Sequence, residues 1–156
     1  MCLMVFEDYF AKAHSIAEKA HAGQKDIAGE DYIKHPIKVS SECDSCKGKI
    51  VALLHDVVED SDITIDDIRA EIPDEEILTA IVLLTKTKKD RYGDGYVEYL
   101  TRIKNNDLAR EVKIADLQHN MILSRLPVIT DRDLKRQKKY QASLDFLKGV
   151  STEYKM

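Results

Sequence analysis

Apolar residues recur along the chain at spacings of three and four, and no stretch shows the two-residue alternation of β-branched side chains that a sheet requires. The pattern predicts an all-α fold, a bundle of about eight helices. In the first, over residues 5–21, Phe6, Tyr9, Phe10, Ala13, Ala17 and Ala20 share the inward face and Gly23 supplies a stop. The polar loop GQKDIAGEDYIKHP follows, with Pro36 expected at the first position of a short second helix and His35 as its N-cap. A third helix is expected from near Gly48 until SDIT interrupts it. Thr64 and Asp67 have capping-box spacing for a short fourth helix, and Pro73 is expected to open a fifth through IVLLTK. Beyond the basic, glycine-bearing loop KTKKDRYGDG come a sixth helix over 94–104, a seventh over 107–126 before Pro127, and an eighth from Asp131 to Leu147 with Thr130 as cap.

Two of these helices carry polar residues in unusual places. In VALLHDVVEDSDIT, apolar residues from Ile50 to Val58 take one side, and His55, Asp56, Glu59 and Asp60 take the other. The helical period stacks His55 on Glu59 and Asp56 on Asp60. On that stretch alone a solvated outer face is the plainer reading, because charged helix faces usually meet water. The seventh helix points inward instead. In EVKIADLQHNMILSRL, Lys113, Asp116, Asn120 and Ser124 line up in a narrow stripe, bordered by Leu117 and Met121 on one side and Val112 and Leu123 on the other. A buried Asp needs a cation or strong donors. A metal ion meets that need; pairing with Lys113 or a backbone cap is the structural alternative. Together His35, His55, Asp56 and Asp116 offer two imidazoles and two carboxylates, a set suited to a divalent transition ion such as Mn2+, Fe2+ or Zn2+ with positions left for water.

Composition narrows the class without changing this picture. With 156 residues, 44% hydrophobic and 33% charged, the chain fits one domain, 1–156, around one core. No apolar run approaches the roughly 18 residues of a membrane span, and MCLMVFEDYF lacks the basic segment of a secretory signal, so a cytoplasmic protein is expected. A net charge of −4 argues against a nucleic-acid polymer as partner. Cys43 and Cys46 form a CDSC motif, but a second ligand pair for zinc and a βαβ setting for redox chemistry are both missing from the pattern. Nothing in the pattern indicates an oligomeric state.

The stretches AHAGQKDIAGEDYIKHP, VALLHDVVEDSDIT and VKIADLQHNM, in that order, resemble the HD superfamily of metal-dependent phosphohydrolases, named for the adjacent pair that here is His55-Asp56. Within it they resemble the hydrolase domain of RelA/SpoT-type alarmone enzymes and the small stand-alone alarmone hydrolases, over about residues 10–145. The resemblance implies that His35, His55, Asp56 and Asp116 hold one manganese ion and that Glu59 and Asp60 position or activate the attacking water. It implies hydrolysis of the 3′-pyrophosphate of guanosine 3′,5′-bisdiphosphate or its triphosphate form, by a hydrolase without a synthetase domain. It places Asn120, Arg136 and Tyr140 against the nucleotide; an exposed face of the last helix is the equal alternative for Arg136, whose QKK neighbours look solvated. Lys86, Lys88, Lys89 and Arg91 are expected as an electropositive rim.

The chain departs from the long enzymes at three places. Asp26-Ile27 stand where those enzymes carry Arg-Lys, leaving Lys25 as the basic substitute; Asp31 replaces the usual Pro before Tyr32; Ile122-Leu123 replace Arg-Thr after HNM. These bear on the nucleotide pocket, which keeps open two other readings: hydrolysis of a different nucleotide, such as a reduced dinucleotide phosphate, and a non-catalytic nucleotide sensor.

Overall fold

Capping side chains set most of the helix boundaries. The computed structural model describes residues 2–122 and 126–155. These form α1 (Cys2–Ala20), α2 (Lys34–Glu42), α3 (Cys46–Leu54), α4 (Val57–Asp60), α5 (Ile65–Glu71), α6 (Glu75–Leu84), a 3-10 turn (Lys88–Asp90), α7 (Gly93–Lys104), α8 (Asp107–Asn120) and α9 (Asp131–Leu147). No strand occurs among the described residues, and one isolated antiparallel bridge joins Lys25 and Asp31. The Thr64/Asp67 and Thr130/Asp133 pairs form reciprocal capping boxes on α5 and α9. Ser45, Asp74 and Asn106 each accept a hydrogen bond from a backbone N–H of the first turn they precede. A cap of this kind contributes about 1 kcal/mol.

Four boundaries differ from the pattern. Ile33, not His35, is the N-cap of α2; His35 is its second residue and Pro36 its third, where the missing N–H belongs to the first turn and has no helical partner in any case. Pro73 lies outside α6, which Asp74 caps. The third expected helix breaks in two at His55-Asp56, so eight expected helices become nine among the described residues. The seventh, α8, stops at Asn120, and Gln137 Nε2 from α9 donates to the Met121 carbonyl (3.2 Å) where a further turn would have done so. Leu123 and Ser124, expected on that helix, lie outside the described residues.

α8 packs against α2, α3, α6, α7 and α9, and α1 closes over α3. This explains how one helix can hold buried polar residues: nearly every side of it meets another element. Val51, Leu53, Leu54 and Val57 are at most 1% exposed, as are Ile81, Leu100 and Leu117 from the facing helices. Each such side chain contributes about 1.5–3 kcal/mol through burial. Gly95 fixes the start of α7 against the 3-10 turn, since a Cβ there would fall 1.7 Å from the Lys89 carbonyl oxygen. No helix among the described residues is long and apolar enough to cross a membrane.

Candidate active site

The break between α3 and α4 places the first two site residues. Leu54 ends α3, His55 keeps helical dihedrals, and Asp56 (φ −106°, ψ −2°) turns the chain before α4 begins. His55 Nδ1 is bonded to the Ala52 carbonyl at 2.5 Å, which fixes the proton there and leaves Nε2 as the lone-pair nitrogen. That Nε2 is buried and has no hydrogen-bond partner among the described residues, although Asp56 Oδ2 lies 3.0 Å and Asp116 Oδ1 3.5 Å away. A lone pair facing two carboxylates is repulsive unless a cation lies between them or the ring takes a second proton. Accordingly, with no ion bound, burial opposes the charged ring but the Asp56 and Asp116 carboxylates raise the His55 pKa well above the usual imidazole range.

α2 and α8 complete the cluster. His35 Nε2 is 2.8 Å from Asp116 Oδ1, and the ligand atoms of His35, His55 and Asp116 all lie within 4.8 Å of one another. Asp116 Oδ2 also accepts from Lys113 Nζ (2.9 Å), and Asn120 Nδ2 donates to its Oδ1 (3.3 Å). Both sequence readings of Asp116 are therefore present together: an ion pair with Lys113 and a shared face with two imidazoles. Burial disfavours the Asp116 charge, but Lys113 and the two histidines hold its pKa well below the ordinary carboxylate range. Asp56 stands at the edge of this group, its Oδ2 accepting from the Tyr32 hydroxyl at 2.5 Å. The donor set and the orphaned His55 nitrogen fit a divalent ion, and the described residues hold no other cluster of three or more such ligands.

Two cavities meet at the cluster. One, of about 350 Å³, is lined by His55, Asp56, Glu59, Asp60 and Asp116 together with Lys86, Lys113 and Lys139. The other, of about 360 Å³, is lined by Lys25, Ile27, Ile122, Leu126 and Gln137. Tyr32, His35, Asn120, Arg136 and Tyr140 line both. Glu59 is held by the Lys86 backbone N–H (2.8 Å) and lies 3.8 Å from Arg91 Nη2. Asp60, open to solvent on one side, has its carboxyl pushed up to about 6 by partial burial and by the charges of Asp56 and Glu59.

The structure thus gathers His35, His55, Asp56, Glu59, Asp60 and Asp116 at one cavity, and Lys25, Asn120, Arg136 and Tyr140 at its neighbour. Arg136 faces the cavities and is braced by Asp133 (2.9 Å); Gln137 and Lys139, read as solvated neighbours, face them too. Lys25 is ion-paired with Asp31, and Asp26 Oδ1 accepts from the Ala28 and Glu30 N–H groups (2.9 and 3.0 Å), so two of the departures from the long enzymes build the loop itself. The expected rim divides: Lys86 lies inside the cavity, Arg91 serves Glu59, and Lys88 and Lys89 are exposed and line neither cavity. Cys43 is buried, its thiol pushed up to about 12 by burial and by Glu111, and neither it nor Cys46 joins the ligand cluster.

Tyr32 and His119 escaped the sequence reading. His119 Nδ1 lies 2.6 Å from His35 Nδ1, and the two rings stack at 4.9 Å. The position of His119, one turn beyond Asp116 on the same helix, was the available signal.

No protein-family model matches the chain. Among curated proteins it is 32% identical over 146 residues to a GTP pyrophosphokinase of Streptomyces coelicolor, covering 87% of this chain and 16% of that protein. It is 37% identical over 129 residues to a guanosine-3′,5′-bis(diphosphate) 3′-pyrophosphohydrolase of Borreliella burgdorferi, covering 74% and 19%. It is 30% identical over 122 residues to the bifunctional (p)ppGpp synthase/hydrolase SpoT of Escherichia coli, covering 70% and 17%. The chain therefore spans less than a fifth of the length of these relatives. The solved structure of a metazoan ortholog of SpoT, one that hydrolyzes ppGpp and plays a role in starvation responses, shares its fold: the TM-score is 0.74 over 94% of this chain and 89% of that one, at 21% identity. Sequence and fold therefore agree: over most of its own length the chain is similar to RelA/SpoT-type enzymes, and it shares the fold of a SpoT ortholog.

Proposed function

We propose that the chain hydrolyses the 3′-pyrophosphate of guanosine 3′,5′-bisdiphosphate and its pentaphosphate form, giving GDP or GTP and pyrophosphate. His35, His55, Asp56 and Asp116 would hold one divalent ion, manganese by preference. The observation that carries this reading is the meeting of ligand-type atoms from His35, His55 and Asp116 at the junction of two cavities. The relatives named as 3′-pyrophosphohydrolases support the choice of substrate.

Bound there, a divalent ion offsets charge on the phosphoryl oxygens and lowers the pKa of a coordinated water. Asp60 is the proton acceptor: a carboxylate raised to about 6 is ionised at neutral pH yet basic enough to take a proton from water. Glu59, fixed by the Lys86 N–H and by Arg91, orients that water. The water oxygen bonds to phosphorus, the phosphorus–O3′ bond breaks, and the proton ends on O3′, so the products are a 3′-hydroxyl and pyrophosphate. Asn120, Arg136 and Tyr140 hold the nucleotide, Arg136 through its planar fork and Tyr140 through its ring.

Purified protein with Mn2+ should release pyrophosphate from the bisdiphosphate, and Asp116→Ala should abolish release; normal turnover by that variant overturns the assignment. A second reading, hydrolysis of a different phosphorylated nucleotide such as NADPH, draws on the Lys25–Asp31 pair, which offsets the charge of the basic substitute where it lines the pocket. A panel of phosphorylated nucleotides with phosphate and pyrophosphate readouts separates the two.

A further inference from the structure

The cavity that holds Glu59 and Asp60 also contains cations that the reaction described above does not use. Of its four basic side chains, Lys113 is paired with Asp116 and Arg136 with Asp133. Lys86 and Lys139 have no carboxylate within ion-pair distance among the described residues; Lys139 Nζ donates only to the Arg91 carbonyl, at 3.2 Å. Both lie against the Tyr96 ring. Lys86 Nζ is 5.9 Å from the Tyr96 ring centroid and 5.7 Å from that of Tyr99. Lys139 Nζ is 4.1 Å from Tyr96, and Lys113 Nζ is 5.7 Å from Tyr99.

The rings cannot turn away, because Tyr96 OH is bonded to Ser143 Oγ (2.8 Å) and Tyr99 OH donates to the Leu84 carbonyl (2.7 Å). Three ammonium groups are thus held around two fixed rings, with a carboxylate for one of them. Ring faces attract cations weakly and do not neutralise them. The strain shows in the lysines: the Lys113 charge, with burial, lowers Lys86 to about 8, and Lys139 is lowered by burial and by Lys113. A half-buried, unpaired cation pair beside a phosphoryl-transfer centre is the electrostatic complement of a further anionic group. Neither lysine lines the neighbouring cavity with Lys25 and Ile27, so the group they serve occupies the cavity of Glu59, Asp60 and the ion ligands.

We infer that Lys86 and Lys139 form a subsite for the outer phosphoryl group of the 3′-pyrophosphoryl unit transferred to water, and so make the site select a 3′-diphosphate over a 3′-monophosphate. This rests on the alarmone reading and goes beyond it by assigning the preference for a 3′-diphosphate to named residues.

The test compares kcat/KM for guanosine 5′-diphosphate esters carrying a 3′-diphosphate or a 3′-monophosphate, in the manganese-loaded wild type and in Lys86→Met and Lys139→Met. The diphosphate-to-monophosphate ratio should fall about tenfold or more in each variant, the size of one lost charge-assisted contact. The exposed Lys88→Met should match the wild type. Equal loss toward both substrates, or an unchanged ratio, overturns the inference. Calorimetric titration with inorganic pyrophosphate and orthophosphate gives a readout free of turnover: the preference for pyrophosphate should fall about tenfold in the Lys86 and Lys139 variants. A preference identical to that of the wild type overturns the subsite. A wild type that shows the lysine-dependent preference but no alarmone turnover supports the subsite and refutes the substrate assignment.

Discussion

Lys113→Met tests the electrostatics of the cluster directly. Lys113 Nζ is 2.9 Å from Asp116 Oδ2, and the two side chains are 8% and 6% exposed, so water screens the pair little. At an effective dielectric near 20 their attraction at 2.9 Å is about 6 kcal/mol before the cost of burying the ammonium. Removing one partner of such a pair costs about 3–5 kcal/mol, because the other charge stays buried and uncompensated. Methionine keeps most of the lysine stem, so the loss is of charge and not of packing. In a chain of this length that corresponds to a fall in Tm of roughly 10 °C. With an ion bound the sign of the Lys113 contribution reverses. The ammonium then competes with the ion for Asp116, so Lys113→Met should bind Mn2+ more tightly and gain more in Tm from saturating Mn2+ than the wild type does. Lys113→Met/Asp116→Asn should cost less than the sum of the single variants. Thermal unfolding in chelator and in excess Mn2+ measures all three. A variant that melts within about 2 °C of the wild type in chelator, or that gains no more from Mn2+, would refute the picture of Asp116 as a carboxylate shared between a lysine and an ion site.

Three further outcomes follow from the site and its frame. Asp60→Asn should lower kcat by a factor of about 10²–10⁴ with little change in KM, as expected for a lost general base; wild-type activity should fall as pH drops through about 6, where Asp60 takes up its proton, and a flat profile from pH 5 to 8 would remove Asp60 from that role. Tyr32→Phe deletes only the hydroxyl that donates to Asp56 and should weaken Mn2+ binding about 10–100-fold in chelator competition, the range for a partner that orients a ligand. Thr64→Ala removes one capping box outside the cavities and should cost about 1 kcal/mol in denaturant unfolding while leaving turnover unchanged.

Much of the fold was legible because its signals are local. Thr64 with Asp67 and Thr130 with Asp133 place two helix starts through contacts three residues apart, and both form. The polar stripe Lys113–Asp116–Asn120 was legible for the same reason: helical spacing alone puts the three on one line. What stayed hidden depends on contacts across the chain. His119 meets His35 across 84 residues, and Tyr32 meets Asp56 across 24, so neither partner can be named from local spacing, even though His119 stands one turn beyond Asp116. The Lys25–Asp31 pair is closer in sequence, but it forms because Asp26 and the positive-φ Gly29 (φ 83°) fold the intervening loop back on itself. Lys86 read as part of an electropositive rim and Lys139 as a solvated neighbour, and it is α7 that brings the Tyr96 ring against both.

The break at His55-Asp56 shows why a helical wheel gave the right face for the wrong reason. In an unbroken helix, consecutive residues point about 100° apart, so an adjacent His and Asp approach one centre from different directions. The wheel placed all four polar residues on one side by averaging over that angle. In the structure α3 ends at Leu54, and the turn at Asp56 swings its carboxylate back to 3.0 Å from His55 Nε2. In the short α4 that follows, Glu59 and Asp60 line the cavity while Val57 is wholly buried. The energetic cost of interrupting the helix is met locally: Ala52 bonds the imidazole, and Asp60 N–H bonds back to the Asp56 carbonyl (2.9 Å) to start the next turn. The adjacent pair therefore forms the junction itself, His55 closing α3 as its C-cap and Asp56 opening α4 as its N-cap.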